Sequence, residues 1–238
     1  MINVTDREEF LNMFNVAGIP VQPFIVSGNI GLLPWDNVTS LVGITFAENV
    51  CLYGLNNVSS LDGVNLPCGV RLYGLRTVTS LVGVILSEGS GLFGLTNITS
   101  LDRVTFAENV KLCGLTKLTT LDGISLSKGM TLSGLNNVSS LDGVNLPCGV
   151  ALHNLANVTS LENVKFAKGV ELHGLTGLTS LTNVTFKVEK VKLFNLTNVT
   201  SMENVKFAKG VELHGLSVVR TIDRVILAEG VRLWWNVA

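Results

Sequence analysis

Apolar residues in this chain do not follow one period from end to end. They recur in a fixed pattern of twenty: residues 101–120 read LDRVTFAENVKLCGLTKLTT, and residues 161–180 read LENVKFAKGVELHGLTGLTS. Units begin at Val21, Leu41, Leu61, Leu81, Leu101, Leu121, Leu141, Leu161, Leu181, Met202 and Ile222, and the unit from Leu181 holds one extra residue within Lys187–Lys190. Self-similarity at such a period marks a repeat architecture. Within each unit, apolar residues hold positions 1, 4, 6, 10, 12, 15 and 18. Positions 4 and 6 alternate, as do 10 and 12, which is the spacing of a strand with one face inward. Positions 15, 18 and the next unit's 1 lie three apart, which fits a 3₁₀ or irregular turn better than an α-helix.

Each unit is therefore predicted as one coil: short strand, corner, second short strand, looser turn. One coil cannot bury its own apolar side, so coils must stack on each other. The expected fold is a solenoid of short parallel strands with about eleven coils over residues 21–238, a single domain whose last coil is incomplete. Position 9 is Gly or Asn in nearly every unit, as at Asn49, Gly69, Gly89 and Asn109. These residues best tolerate positive φ, so the column predicts a left-handed corner between the strands. Gly at position 14 predicts a second corner. Hydroxyls at positions 19 and 20 are expected to cap backbone groups at the turn. The acidic residues at position 2, such as Asp62, Asp142 and Glu162, are expected to accept backbone N–H groups where the strand starts.

Residues 1–20 depart from the repeat. Thr5 followed by Glu8 reads as a capping box, and Phe10, Leu11 and Phe14 share a helical face, so a short helix at about 6–14 is predicted to cap the first coil. The C-terminal VRLWWNVA shows no such device, and end-to-end self-association through that coil is a possible consequence.

Composition narrows the function classes. The chain is 47% hydrophobic and 15% charged, yet it has no run of about eighteen apolar residues, so no membrane span is expected. A net charge of −1 offers no global basic field for nucleic acid. Asp6, Glu8 and Glu9 interrupt the stretch where a secretory signal would need an apolar core, so none is read in the chain, and its location stays unknown. Cys51, Cys68, Cys113 and Cys148 show neither CxxC nor zinc spacing and are expected to be free thiols. No P-loop, G-x-G-x-x-G, H-E-x-x-H or Ser/His/Asp order is present, so the chain is read as non-enzymatic, with no cofactor and no metal.

The L-x-x-V-x-F…V-x-L…L-x-x-V unit resembles a leucine-rich repeat. It is most similar to the BspA-like leucine-rich repeat family, whose L-x-x-I-x-I-P-x-x-V pattern is met by LDGVNLPCGV, with Pro67 and Pro147 at the proline position. The units here are a few residues shorter than that family's. The resemblance implies protein binding or adhesion, with a second protein or a cell-surface component as partner, at the cell surface or secreted. It brings no catalytic residues with it.

Two outward columns are candidates for contact. Position 13 carries Tyr53, Tyr73, Phe93, His153, His173, Phe194, His214 and Trp234, with Cys113 and Ser133 between the two runs. Such a stripe suits protein or glycan contact, and it equally suits stacking from coil to coil. Position 5, expected on a concave strand face, carries Asn65, Thr105, Asn145, Lys165 and Lys206 among Thr45, Ile85, Ser125, Thr185 and Ile226, small and polar at first and then partly basic. His153 and His173 should be neighbours, but no third metal ligand accompanies them.

Overall fold

The computed structural model describes residues 2–27, 30 and 37–235. It is a parallel β-solenoid of about eleven turns, with one short helix among the described residues, at the N-terminal end. Two compact units make up the chain, Met1–Lys117 and Leu118–Ala238.

In the first unit, Cys51–Leu52, Arg71–Tyr73, Gly91–Phe93 and Lys111–Cys113 form a parallel stack of second strands in register at twenty residues. Asn65–Leu66, Ile85–Leu86 and Thr105–Phe106 do the same for the first strands. In the second unit the second strands run Thr131–Ser133, Ala151–Leu152, Glu171–Leu172, Lys192–Leu193, Glu212–His214 and Arg232–Trp234. Glu171 pairs with Lys192, an offset of twenty-one, and Lys192 pairs with Glu212, an offset of twenty again. The extra residue thus lies in the stretch Lys187–Lys190, as the sequence indicates.

The interior is built from the seven predicted columns. Leu61, Leu66, Val70, Leu72, Leu75 and Val78 are buried in one coil, and Leu141, Leu146, Val150, Leu152, Leu155 and Val158 in another. Each fully buried aliphatic side chain contributes roughly 1.5–3 kcal/mol, and only stacked neighbours make that burial possible. Ser90 is the exception among the buried positions, and its hydroxyl donates to the Ser87 carbonyl at 2.7 Å.

Three backbone corners per coil take positive φ, where the sequence reading anticipated two. Position 9 does so in each coil from Asn49 to Gly230, including Lys190 with φ 59°, which the inserted residue brings into the column. Position 14 does so at its glycines and at Asn154 and Asn195. The unanticipated corner is position 3, where Gly63 and Gly143 alternate with Arg103 (φ 59°), Asn163, Asn204 and Arg224 (φ 51°). An arginine there hides a left-handed requirement that glycine would advertise. The looser turn forms no 3₁₀ helix among the described residues. Near its end a third bridge joins Ser60 to Ser80 and Ser140 to Ser160, and it grows into paired strands at Ser201–Glu203 and Thr221–Asp223.

The N-terminal cap differs in detail from the expectation. The helix is Arg7–Asn12, and Asp6 rather than Thr5 is its N-cap, accepting the Glu9 N–H at 3.0 Å. Asp lies three residues before Glu9, so the box is shifted by one, and the Glu9 carboxylate returns to the Thr5 N–H at 3.3 Å. Phe10 is fully buried against Phe14 and Phe24, with ring centroids at 5.0 and 5.8 Å. Met13, not Leu11, completes the buried face. Ile2–Val4 adds a further parallel rung beside Phe24–Val26. At the other end, Ile222 and Leu227 sit in core columns yet are each 55% exposed.

Candidate functional site

Two outward surfaces follow from the alternation along each strand. On the second strand, position 13 side chains leave the coil at the same height one rung apart, so their rings meet. Tyr53, Tyr73 and Phe93 stack in the first unit at 4.4 and 4.3 Å, within 9° of parallel. His153, His173, Phe194 and His214 stack in the second at 4.4, 4.3 and 4.5 Å, and Trp234 continues the ladder at 5.7 Å. Gly91 makes room for the first stack, since a Cβ there would meet the Phe93 ring at 2.7 Å. Both faces of each inner ring, Tyr73, His173, Phe194 and His214, are therefore turned to other rings, and these rings offer solvent mainly their edges. Burial and the neighbouring Tyr53 and Cys51 push the Tyr73 hydroxyl pKa up.

Charge flanks the histidine ladder. The Glu171 carboxylate lies 3.0 Å from Lys192 Nζ and 3.4 Å from His173 Nε2, and Glu212 lies 3.3 Å from His214 Nε2 and 3.7 Å from Arg232. Burial raises the Glu171 pKa, but the hydrogen bond and charge of Lys192 and the bond to His173 outweigh it and leave the value lowered. Burial and the adjacent His173 push His153 below the usual imidazole range. The stacked rings of His153 and His173 direct their in-plane lone pairs side by side, not at one point. Among the described residues no three His, Cys, Asp or Glu side chains gather as metal ligands, and no helix is long and apolar enough to cross a membrane.

On the first strand, position 5 is exposed in every coil from Thr45 to Ile226, so Asn65, Thr105, Asn145, Lys165 and Lys206 all face solvent. The acidic column beside it is structural where the chain shows it. Asp62 accepts the Val82 N–H at 2.7 Å and the Ser80 hydroxyl, and Asp142 accepts the Glu162 N–H at 2.6 Å. The Ser80 bond, against slight burial, holds the Asp62 pKa below the carboxylate norm. The position 20 hydroxyls of Ser60, Ser100, Thr120 and Ser140 accept the N–H two residues on, which is the predicted cap. The four cysteines are free thiols.

Sequence reasoning missed a cleft on the first-strand side of the second unit, about 620 Å³ in volume, between Leu161–Phe166 and Thr182–Val188. It lies at one of the places where the first-strand ladder opens. Lys165 N–H donates to Val144 and Ala167 N–H to Leu146, both at 2.9 Å, but among the described residues no backbone bond joins Val164–Phe166 to Thr185–Lys187. Val164, Phe166 and Val184 are only half-buried there. The one signal in the sequence was the extra residue in Lys187–Lys190. The chain matches no protein-family model, and neither curated proteins nor solved structures provide a match.

Proposed function

We propose that this chain is a non-enzymatic binding scaffold that meets another protein or a cell-surface component through its exposed first-strand face. The observation that supports this most directly is the position 5 column. It is exposed in every coil from Thr45 to Ile226, and it changes from Asn65 and Thr105 to Lys165 and Lys206 while the columns beneath stay almost wholly apolar. A rigid core under a varied polar face is what a recognition surface needs. The resemblance to BspA-like leucine-rich repeats supports the same reading and extends it to adhesion. The ring ladder at position 13 is assigned the lesser part, because most of its faces are already occupied by neighbouring rings.

Photo-crosslinkers placed at Asn65, Thr105 and Asn145 test this. They should capture a common partner, and crosslinkers at Tyr53, Tyr73 and Phe93 should not. Capture from the ladder alone would reverse the assignment of faces.

The exposed core columns at Ile222 and Leu227 favour a second reading, a rod that associates through its C-terminal coil. The cap over Phe24 closes the first coil, so like ends would meet. Light scattering over a concentration series should then show a dimer that Leu227→Lys abolishes, and a steady monomer would dismiss this reading.

A further inference from the structure

We propose that the cleft between Leu161–Phe166 and Thr182–Val188 is a docking site for an acidic peptide in extended conformation. The inference rests on the binding-scaffold reading and names the ligand class for the second unit's part of that face.

The backbone supplies the first argument. In other stretches of the first-strand ladder, N–H and C=O groups of successive coils satisfy each other, as with Ile85 to Val64 at 3.1 Å and Ser87 to Leu66 at 2.9 Å, while among the described residues the ladder is also open between Ile44–Phe46 and Asn65–Leu66. At the cleft the equivalent donors, Thr185 and Lys187, and the equivalent acceptors, Val164 and Phe166, have no such partners among the described residues. Donors two residues apart on one wall and acceptors two apart on the other are what a sheet edge offers an incoming strand. An extended peptide carries matching groups at the same spacing. A glycan or an inorganic anion does not.

Charge supplies the second. Lys165 and Lys187 line the cleft with Glu162, and Lys206 lies one coil on; the three lysines are exposed and make no ion pair among the described residues, whereas Lys168, Lys192 and Lys209 are each paired with a glutamate. Val164 and Val184 give the cleft an apolar floor. A peptide with alternating apolar and acidic side chains would seat one set on that floor and bring the other to the lysines. Phe166 and Phe186 remain 5.3 Å apart, so the coils keep contact at the core, and the peptide enters the cleft only as far as the backbone groups of its two walls.

The test uses the whole chain and a fluorescein-labelled, end-blocked Glu-Val-Glu-Val-Glu peptide, followed by anisotropy. Saturable binding is expected. The double change Lys165→Glu and Lys187→Glu should weaken it at least tenfold, and Lys111→Glu in the first unit should leave it unchanged. The Lys-Val-Lys-Val-Lys peptide should not bind, and an N-methylated Glu-Val-Glu-Val-Glu should bind at least tenfold more weakly. Absence of saturable binding overturns the proposal, as does equal binding of the N-methylated peptide or indifference to the double change. Tight binding of dextran sulfate with no binding of the peptide would reassign the lysines to a sulfated glycan. If the peptide fails while crosslinking at Asn65 and Thr105 persists, only this inference falls and the scaffold reading stands.

Discussion

Residues 54–70 and 134–150 are the same seventeen letters set in two different units, and they share key backbone bonds in both. Asn49 N–H donates to the Cys68 carbonyl at 2.9 Å in one, and Gly129 N–H to the Cys148 carbonyl at 2.8 Å in the other. Gly69 N–H reaches the Glu88 carbonyl and Gly149 N–H the Lys168 carbonyl, at 3.0 Å each. Glutamate and lysine serve alike because the bond is to their backbone. What surrounds the two copies has diverged. The first unit holds nine acidic and six basic residues, the second nine acidic and eleven basic. The first stacks tyrosines and phenylalanine, and the second stacks histidines among ion pairs. Coil stacking depends on inward side chains and backbone bonds, which leaves the outward positions free to change.

The largest expected effects test whether both interiors are equally essential. Leu72→Ala and Leu152→Ala, one in each unit and both fully buried, should each cost about 2–5 kcal/mol in urea unfolding, and Phe10→Ala in the cap about 3–5 kcal/mol. Leu227→Ala occupies a core column yet is largely exposed and should cost less than about 1 kcal/mol. A cost matching Leu152→Ala would mean that the last coil is covered in solution.

The ring ladders come next. Tyr73→Ala removes two close stacks and should lower stability by about 1–3 kcal/mol, read from thermal melts. Trp234→Ala removes one longer contact from a half-exposed ring and should lose less than about 1 kcal/mol.

Smaller still are the position 3 corners. Arg103→Gly in the first unit and Arg224→Gly in the second should each stabilise by about 0.5–1 kcal/mol, since glycine relieves the left-handed cost but loses more backbone freedom. Gly143→Ala should do the reverse by about 1 kcal/mol, because its added Cβ would meet nothing within 4 Å and only the backbone conformation opposes it.

The smallest effect distinguishes the two ladders by pH. The folded state holds His153 below its unfolded pKa, so acidification through about 6.5 protonates the unfolded chain first. This contribution is present above that pH and is lost as pH falls through it. His153→Phe should remove it from a comparison of melting temperatures at pH 7.5 and 5.5, and Tyr73→Phe should leave the same comparison unaltered.

Much of the fold was legible because stacking forces every coil to repeat the same inward residues. The seven buried columns, the corner at position 9, the hydroxyl caps and the extra residue near Lys190 all left a periodic mark. The position 3 corner did not, because Arg103 and Arg224 adopt a left-handed backbone that their identity gives no reason to expect. The cap was placed correctly but attributed to Thr5, since Thr5 with Glu8 and Asp6 with Glu9 are both plausible boxes and only the chain path selects between them. For the candidate surfaces, both columns were legible from alternation, and the orientation of the rings was not.

The sequence by itself determined the coil: its length, its inward columns, its main corners and the stacking that follows from a surface no single coil can bury. The tertiary structure alone decided which outward groups face each other and which face solvent. Ring against ring at position 13, the open ladder between Val164 and Thr185, and the lysines left without partners around it all depend on distances between neighbouring coils. A repeat pattern records what every coil must share. It does not record where the first-strand ladder opens, because that is set by the distance between two neighbouring coils and not by the residues that every coil shares.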